Sequence, residues 1–180
     1  MERIDKEHKE EILEMIEKAG DPENYETSWD ETGTIRKIKE KVNIKKGGES
    51  RAAGAKFELI VRKDLEEKGR IVDKWTNNVD LEKGKIIISR KYNPFKKMLI
   101  LGTGFPDFIS IKHIHDGVYS VIGVEVKMNG ILSKEEKQKC AWYLKNKVFS
   151  EIWIAKKGRE RGKIEYGNFE EKYGEKYNNP

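Results

Sequence analysis

Residues 118–127 read VYSVIGVEVK, a strand-like run of Val, Ile and Gly that a glutamate and a lysine interrupt. Alternation places Glu125 and Lys127 on one face of that strand. Charges on a buried strand are expensive unless something pairs with them. Glu-x-Lys alone carries little information, because it occurs five times, starting at Glu7, Glu66, Glu125, Glu135 and Glu170. The other four lie in polar, helix-like or terminal segments, where charges form a solvated face. Glu125 and Lys127 therefore mark either a structural ion pair or a site, and an ion pair alone leaves Asp107 and Glu58 unexplained.

The preceding segment, GTGFPDFISI at 102–111, predicts a strand over 107–114, joined to a second over 118–127 through His115-Asp116-Gly117. A two-residue loop would set Asp107 opposite Val126 and send Asp107 and Glu125 to opposite faces. A three-residue loop with Gly117 left-handed is a common hairpin type. It sets Asp107 opposite Glu125, with Lys127, Ile109, Ile111, Tyr119 and Val121 on the same face. The second register gathers three charged side chains and is the one expected.

Around this hairpin the sequence predicts a helix over 50–68, stopped by Gly69, with Ala53, Phe57, Ile60, Val61 and Leu65 in one stripe. Glu58 falls at the edge of that stripe, and Gly54, one turn earlier, leaves open space beside it. Strands are expected at 71–75, 85–89, 98–101 and 151–155, and a helix at 133–147 opening on a Ser133–Glu136 capping box. This order predicts an α/β domain over 49–157, a mixed sheet flanked by helices. Residues 1–48 read as an N-terminal extension: an amphipathic helix over 5–18, a loop over 21–33 and a basic stretch over 34–46 that Gly47-Gly48 breaks. Residues 158–180 read as a polar, peripheral C-terminal tail.

Composition narrows the function classes. No apolar run approaches the roughly 18 residues of a membrane span, and the first 20 residues lack the apolar core of a signal peptide, so a cytoplasmic protein is expected. The single cysteine, Cys140, excludes a disulfide framework and a multi-cysteine zinc or iron–sulfur site. Residues 1–31 carry a balance of −8 and residues 32–180 one of +13. A domain that basic suits a polyanionic partner. The dominance of Lys and Glu over a single Gln equally suits a solvated, heat-adapted surface.

Glu58, Phe105-Pro106-Asp107 and Glu125-Val126-Lys127 together resemble the PD-(D/E)XK nuclease superfamily, over roughly residues 50–157. Gly54-Ala55-Lys56-Phe57-Glu58 with its Lys-Gly-stopped helix is similar to archaeal Holliday-junction resolvases. Leu132-Ser133 through Gln138 and Trp142 resembles the Gln-bearing helix of virus-type replication–repair nucleases. The chain departs from both in residues 1–48 and in the roughly thirty residues between Trp75 and Asp107.

The resemblance implies a restriction-endonuclease-like core and Mg²⁺-dependent hydrolysis of DNA phosphodiester bonds, with Mn²⁺ substituting; the sequence leaves open whether a homodimer delivers paired cuts. It implies that Asp107 and Glu125 hold the metal with the Val126 carbonyl, and that Glu58 completes the acidic cluster. Lys127 then positions the attacking water or stabilises the phosphorane, and Gln138 orients Lys127 or touches a phosphate. Lys45, Lys46, Arg51 and Lys56 lead into the Glu58 helix and are candidates to grip the DNA backbone. A restriction-type enzyme, an exonuclease-like repair enzyme and a non-catalytic DNA-binding module on the same fold are the rival readings. The lone cysteine excludes the iron–sulfur exonuclease branch. His113 and His115 lie by the hairpin turn, away from Asp107, Cys140 is expected in the core, and Trp75 and Trp142 are expected in the core or at a sheet edge.

Overall fold

The computed structural model describes residues 6–160 and 162–177. They fall into two compact units that divide between Ala53 and Gly54. The first unit begins with helix α1 (Lys6–Ala19), followed by strands β1 (Tyr25–Trp29) and β2 (Ile35–Glu40), an antiparallel hairpin. Helix α2 (Lys41–Glu67) starts at once after β2 and runs on into the second unit.

Two expectations for this region are corrected. Residues 21–33 are not a loop throughout but carry β1, a polar strand whose turn is set by Asp30. Its Oδ1 accepts from the backbone N–H groups of Thr32 and Thr34, both at 2.9 Å. A strand that buries so little leaves no apolar alternation to read. Gly47-Gly48 does not break the chain either, because α2 passes through both residues. Each glycine weakens a helix by about 1 kcal/mol without forbidding it. A Cβ at either position would meet open space, so no close approach demands glycine there.

In the second unit the strands are β3 (Ile71–Lys74), β4 (Asn77–Asp80), β5 (Lys85–Ile88), β6 (Arg90–Asn93), β7 (Met98–Leu101), β8 (Phe108–His115) and β9 (Val118–Val126). Helix α3 (Lys134–Lys145), strands β10 (Glu151–Lys157) and β11 (Ile164–Asn168) and helix α4 (Phe169–Tyr177) complete it. The central sheet has the order β11-β10-β9-β8-β3, parallel between β9 and β10 and antiparallel elsewhere. It is the mixed sheet of an α/β fold, as expected. The interval between Trp75 and Asp107 is filled by two ribbons, β4–β5 and β6–β7, whose Ile88, Tyr92, Phe95 and Leu101 stay exposed.

Both faces of the sheet are covered. On one, Phe57, Val61 and Leu65 of α2 pack against Val72, Phe108, Ile122, Val124 and Ala155. On the other, Cys140 and Tyr143 of α3 and Phe169 of α4 pack with Phe149, Ile152 and Ile154. Residues 158–180 are therefore no peripheral tail. Their described part supplies an edge strand of the central sheet and a helix whose Phe169 is fully buried. The polarity that suggests a tail belongs largely to the exposed Glu170, Glu171, Lys172, Glu175 and Lys176 of α4.

The β8–β9 register is the expected one over most of its length: Phe108 faces Val124, Ile109 faces Gly123 and Ile111 faces Val121. The turn that produces it differs. The strands close on Asp116-Gly117, with His115 opposite Val118, and the register slips by one residue between His113 and His115. Gly117 is left-handed at φ 73°, as expected. A tight turn plus a bulge gives the same offset as a three-residue loop.

Candidate active site

The segment that carries Asp107 is wedged against the chain after β3. Phe105 N–H donates to the Asn77 carbonyl at 2.9 Å, and Trp75 N–H donates to the Asp107 carbonyl at 3.1 Å. A Cβ on Gly104 would lie 2.1 Å from the Trp75 carbonyl oxygen and 2.4 Å from that of Asn77. Both are backbone atoms that cannot swing away. Gly104→Ala is accordingly expected to destabilise the protein by at least about 1–3 kcal/mol, the usual overpacking range. A lowered urea midpoint at unchanged m-value is the readout, and an unchanged midpoint would refute this account of the loop. Pro106 is seated in the same way over Gly123, where a Cβ would come within 2.8 Å of its ring.

Asp107 and Glu125 lock together across β8 and β9. Asp107 N–H donates to Glu125 Oε2 at 3.2 Å, and Val126 N–H donates to Asp107 Oδ2 at 2.9 Å. Glu125 is only 3% exposed, whereas Asp107 is half-buried. Lys127 Nζ sits 3.0 Å from Glu125 Oε1 and 2.7 Å from Glu136 Oε1. Its backbone N–H is fixed to the Ala155 carbonyl of β10 at 2.9 Å.

Burial, then the neighbouring Asp107 charge, pushes the Glu125 carboxyl up to about 8, with Lys127 opposing. Burial also raises Asp107, with the Val126 N–H opposing and the Glu58 charge adding to the rise. For Lys127 burial works against the charge, but the hydrogen bond and charge of Glu136, with those of Glu125, outweigh it and hold the ammonium above its usual range. Without a cation, the site is a proton-retaining carboxylate pair beside a firmly charged lysine.

Glu136 was not among the expected site residues. Its part in the capping box is as expected, since Glu136 N–H donates to Ser133 Oγ at 3.2 Å and Ser133 N–H to Glu136 Oε2 at 2.7 Å. Its other oxygen takes the lysine, so one carboxylate starts α3 and orients Lys127. Gln138 is two residues farther on, roughly 200° around the helix, and is exposed. The structure brings Glu136 to Lys127 and leaves Gln138 outside the site.

Glu58 is bound by a different cation, although its charge still reaches Asp107. It lies on the α2 side of the sheet with Phe108, and Lys74 Nζ donates to its Oε2 at 2.7 Å. Among the described residues no three His, Cys, Asp or Glu side chains group closely enough to hold a metal, so the expected three-carboxylate convergence is not present. Beside Gly54 the expected open space is found. Lys45, Lys46, Arg51 and Lys56 are exposed along α2. His113 and His115 are exposed near the turn, and Cys140 is buried. Trp75 packs edge-on to Phe149 and donates to Tyr143 Oη at 3.2 Å.

Compared with known proteins, the chain matches no family, no curated protein and no solved structure. No helix among the described residues is long and apolar enough to cross a membrane.

Proposed function

We propose that this protein is a Mg²⁺-dependent endodeoxyribonuclease on a restriction-endonuclease-like core, acting on branched or junction DNA. The observation that carries this reading is the Asp107–Glu125 pair, facing carboxylates on adjacent strands with Lys127 3.0 Å from one of them. Repelling carboxylates in a partly dry site disfavour their own ionisation, and a divalent cation relieves that conflict.

The donor set fits the ion. Carboxylate oxygens are hard ligands, and Mg²⁺ commonly takes only one or two of them while keeping several waters. Asp107 and Glu125 with the Val126 carbonyl meet that requirement without Glu58, and Mn²⁺ suits the same oxygens. When bound, the ion supplies charge neutralisation at the phosphate and a more acidic water. Lys127 contributes a fixed positive charge where negative charge develops on the phosphate oxygens. Glu136 keeps that ammonium charged and aimed, and Lys45, Lys46, Arg51 and Lys56 offer phosphate contacts.

A non-catalytic DNA-binding module is the second reading, favoured by the Lys74–Glu58 ion pair that withdraws the third carboxylate. Equal amounts of four-way junction, flap, duplex and single strand, incubated with Mg²⁺ or EDTA, separate the two. Metal-dependent cutting of the junction or flap is expected, slowed in Lys127→Ala by about 10²–10³-fold. Binding to all four with no cutting in either Mg²⁺ or Mn²⁺ would leave the second reading standing.

A further inference from the structure

The first unit contains a groove of about 740 Å³ between α1, β2 and the early turns of α2. Met15, Ile35, Ile38 and Ile44 give it an apolar lining, and Tyr25 borders it half-buried. Its lining also carries Arg36, Lys37, Lys39 and Arg51 against a single carboxylate, Glu40, while a further lysine, Lys18, is taken by Glu14 on α1. Among the described residues none of those four cations is held in an ion pair. Glu26 lies across the hairpin from Lys39 but makes no ion pair with it.

We propose that this groove binds a single-stranded polynucleotide. Unpaired cations beside an apolar, aromatic-bordered cleft match a strand that exposes both phosphates and base faces. A duplex turns its bases inward and would leave the apolar lining unused. On the regular part of β2 Lys37 and Lys39 repeat at about 7 Å on one face, a spacing that suits successive phosphates. Ile38 and the cross-strand Tyr25 lie on the opposite face, so a strand running along the β2 edge would meet cations on one flank and the apolar lining on the other. The inference rests on the nuclease reading only in taking the strand for an unpaired arm of the substrate, and the groove is testable without cleavage.

The test measures anisotropy of labelled oligo(dT), oligo(U) and a duplex of equal length with the full chain in EDTA, across a salt series. For Arg36→Gln/Lys37→Gln/Lys39→Gln, the slope of log affinity against log salt is expected to fall by about 2 on oligo(dT), roughly 0.7 per lost contact. Tyr25→Ala is expected to weaken single-strand binding about 5-fold or more, as loss of one stacking platform does, while Tyr25→Phe restores it and duplex binding stays constant. Preference between oligo(dT) and oligo(U) identifies the natural strand. An unchanged slope in the triple variant overturns the proposal, and so does an equal loss on duplex and single strand. A chain that binds oligo(dT) through this groove yet cuts nothing keeps this inference and loses the nuclease reading. One that cuts DNA with the triple variant unimpaired in binding does the reverse.

Discussion

Lys127→Ala is expected to slow DNA cleavage by about 10²–10³-fold, the usual loss when one preorganised transition-state stabiliser is removed. The ammonium is held by Glu125 at 3.0 Å and Glu136 at 2.7 Å, so it is already in place and charged before any phosphate arrives. A charge that needs no reorganisation acts on the rate more than on ground-state binding. DNA affinity in EDTA should therefore change little. Glu136→Gln keeps the lysine but weakens its anchor, and a smaller fall in kcat with little change in KM is expected. Gln138→Ala should cut at the wild-type rate, because Gln138 lies on the outer side of α3. Near-normal cleavage by Lys127→Ala would remove the lysine from the mechanism. A Gln138→Ala defect comparable to that of Glu136→Gln would overturn the placement of α3 relative to the site.

What was legible in the sequence was whatever a period-two pattern forces. The apolar alternation of 118–127 and the charges within it required Glu125 and Lys127 to share a face, and placing Asp107 with them selected one register. That register holds, although a bulge near Ile114 produces it instead of a longer loop. A pattern reports an offset and cannot distinguish two turns that yield the same one. Glu136 was hidden for a different reason. Its capping role already accounted for its position, and the second carboxylate oxygen reaches Lys127 only once α3 docks on the sheet. Gln138 is expected only from the resemblance of its helix to a Gln-bearing one, and helical rotation turns it away from Lys127. Glu58 was placed correctly at the edge of its stripe, but its partner Lys74 sits on a strand whose pairing to β8 the sequence did not encode locally. Of the elements missed outright, β1, β2, β4, β6 and β11 are polar strands or edges that bury little apolar surface, and α4 is a polar helix that buries only Phe169 and Gly174. The buried Arg70, whose Nε donates to Ser110 Oγ at 2.7 Å, shows the same limit: its partner is forty residues away.

The metal-free protein is expected to lose stability as pH rises from about 5 to 9. In the native state burial and the Asp107 charge hold the Glu125 carboxyl at about 8, against about 4.5 for an ordinary glutamate. Between those values the folded chain keeps a proton that the unfolded chain has released, so stability falls with pH. The contribution is complete below about 4.5 and is lost as pH passes through about 8. Asp107 is raised as well and acts in the same direction, so the two titrate as a pair. At Glu136 burial works upward, but the Lys127 hydrogen bond and charge outweigh it and lower the carboxyl, so its contribution disappears only at acid pH, below this window. A tenfold difference in proton affinity between the folded and unfolded chain is worth about 1.4 kcal/mol, so a loss on the order of a few kcal/mol is expected, seen as several degrees in Tm. Glu125→Gln supplies a neutral isostere of the protonated form. It should melt higher than wild type at pH 9 in EDTA and show a flatter profile. Mg²⁺ favours the ionised pair and should offset part of the wild-type decline. At about 10 mM ion and a dissociation constant near 1 mM, linkage adds about 1.4 kcal/mol. Neither Glu125→Gln nor Asp107→Asn should gain that stabilisation. The measurement is a set of melts at pH 5, 7 and 9 for the three proteins, with EDTA and with Mg²⁺. A wild-type profile as flat as that of Glu125→Gln would show that Glu125 is ionised in the folded state. A full metal shift in Asp107→Asn would show that the ion binds elsewhere.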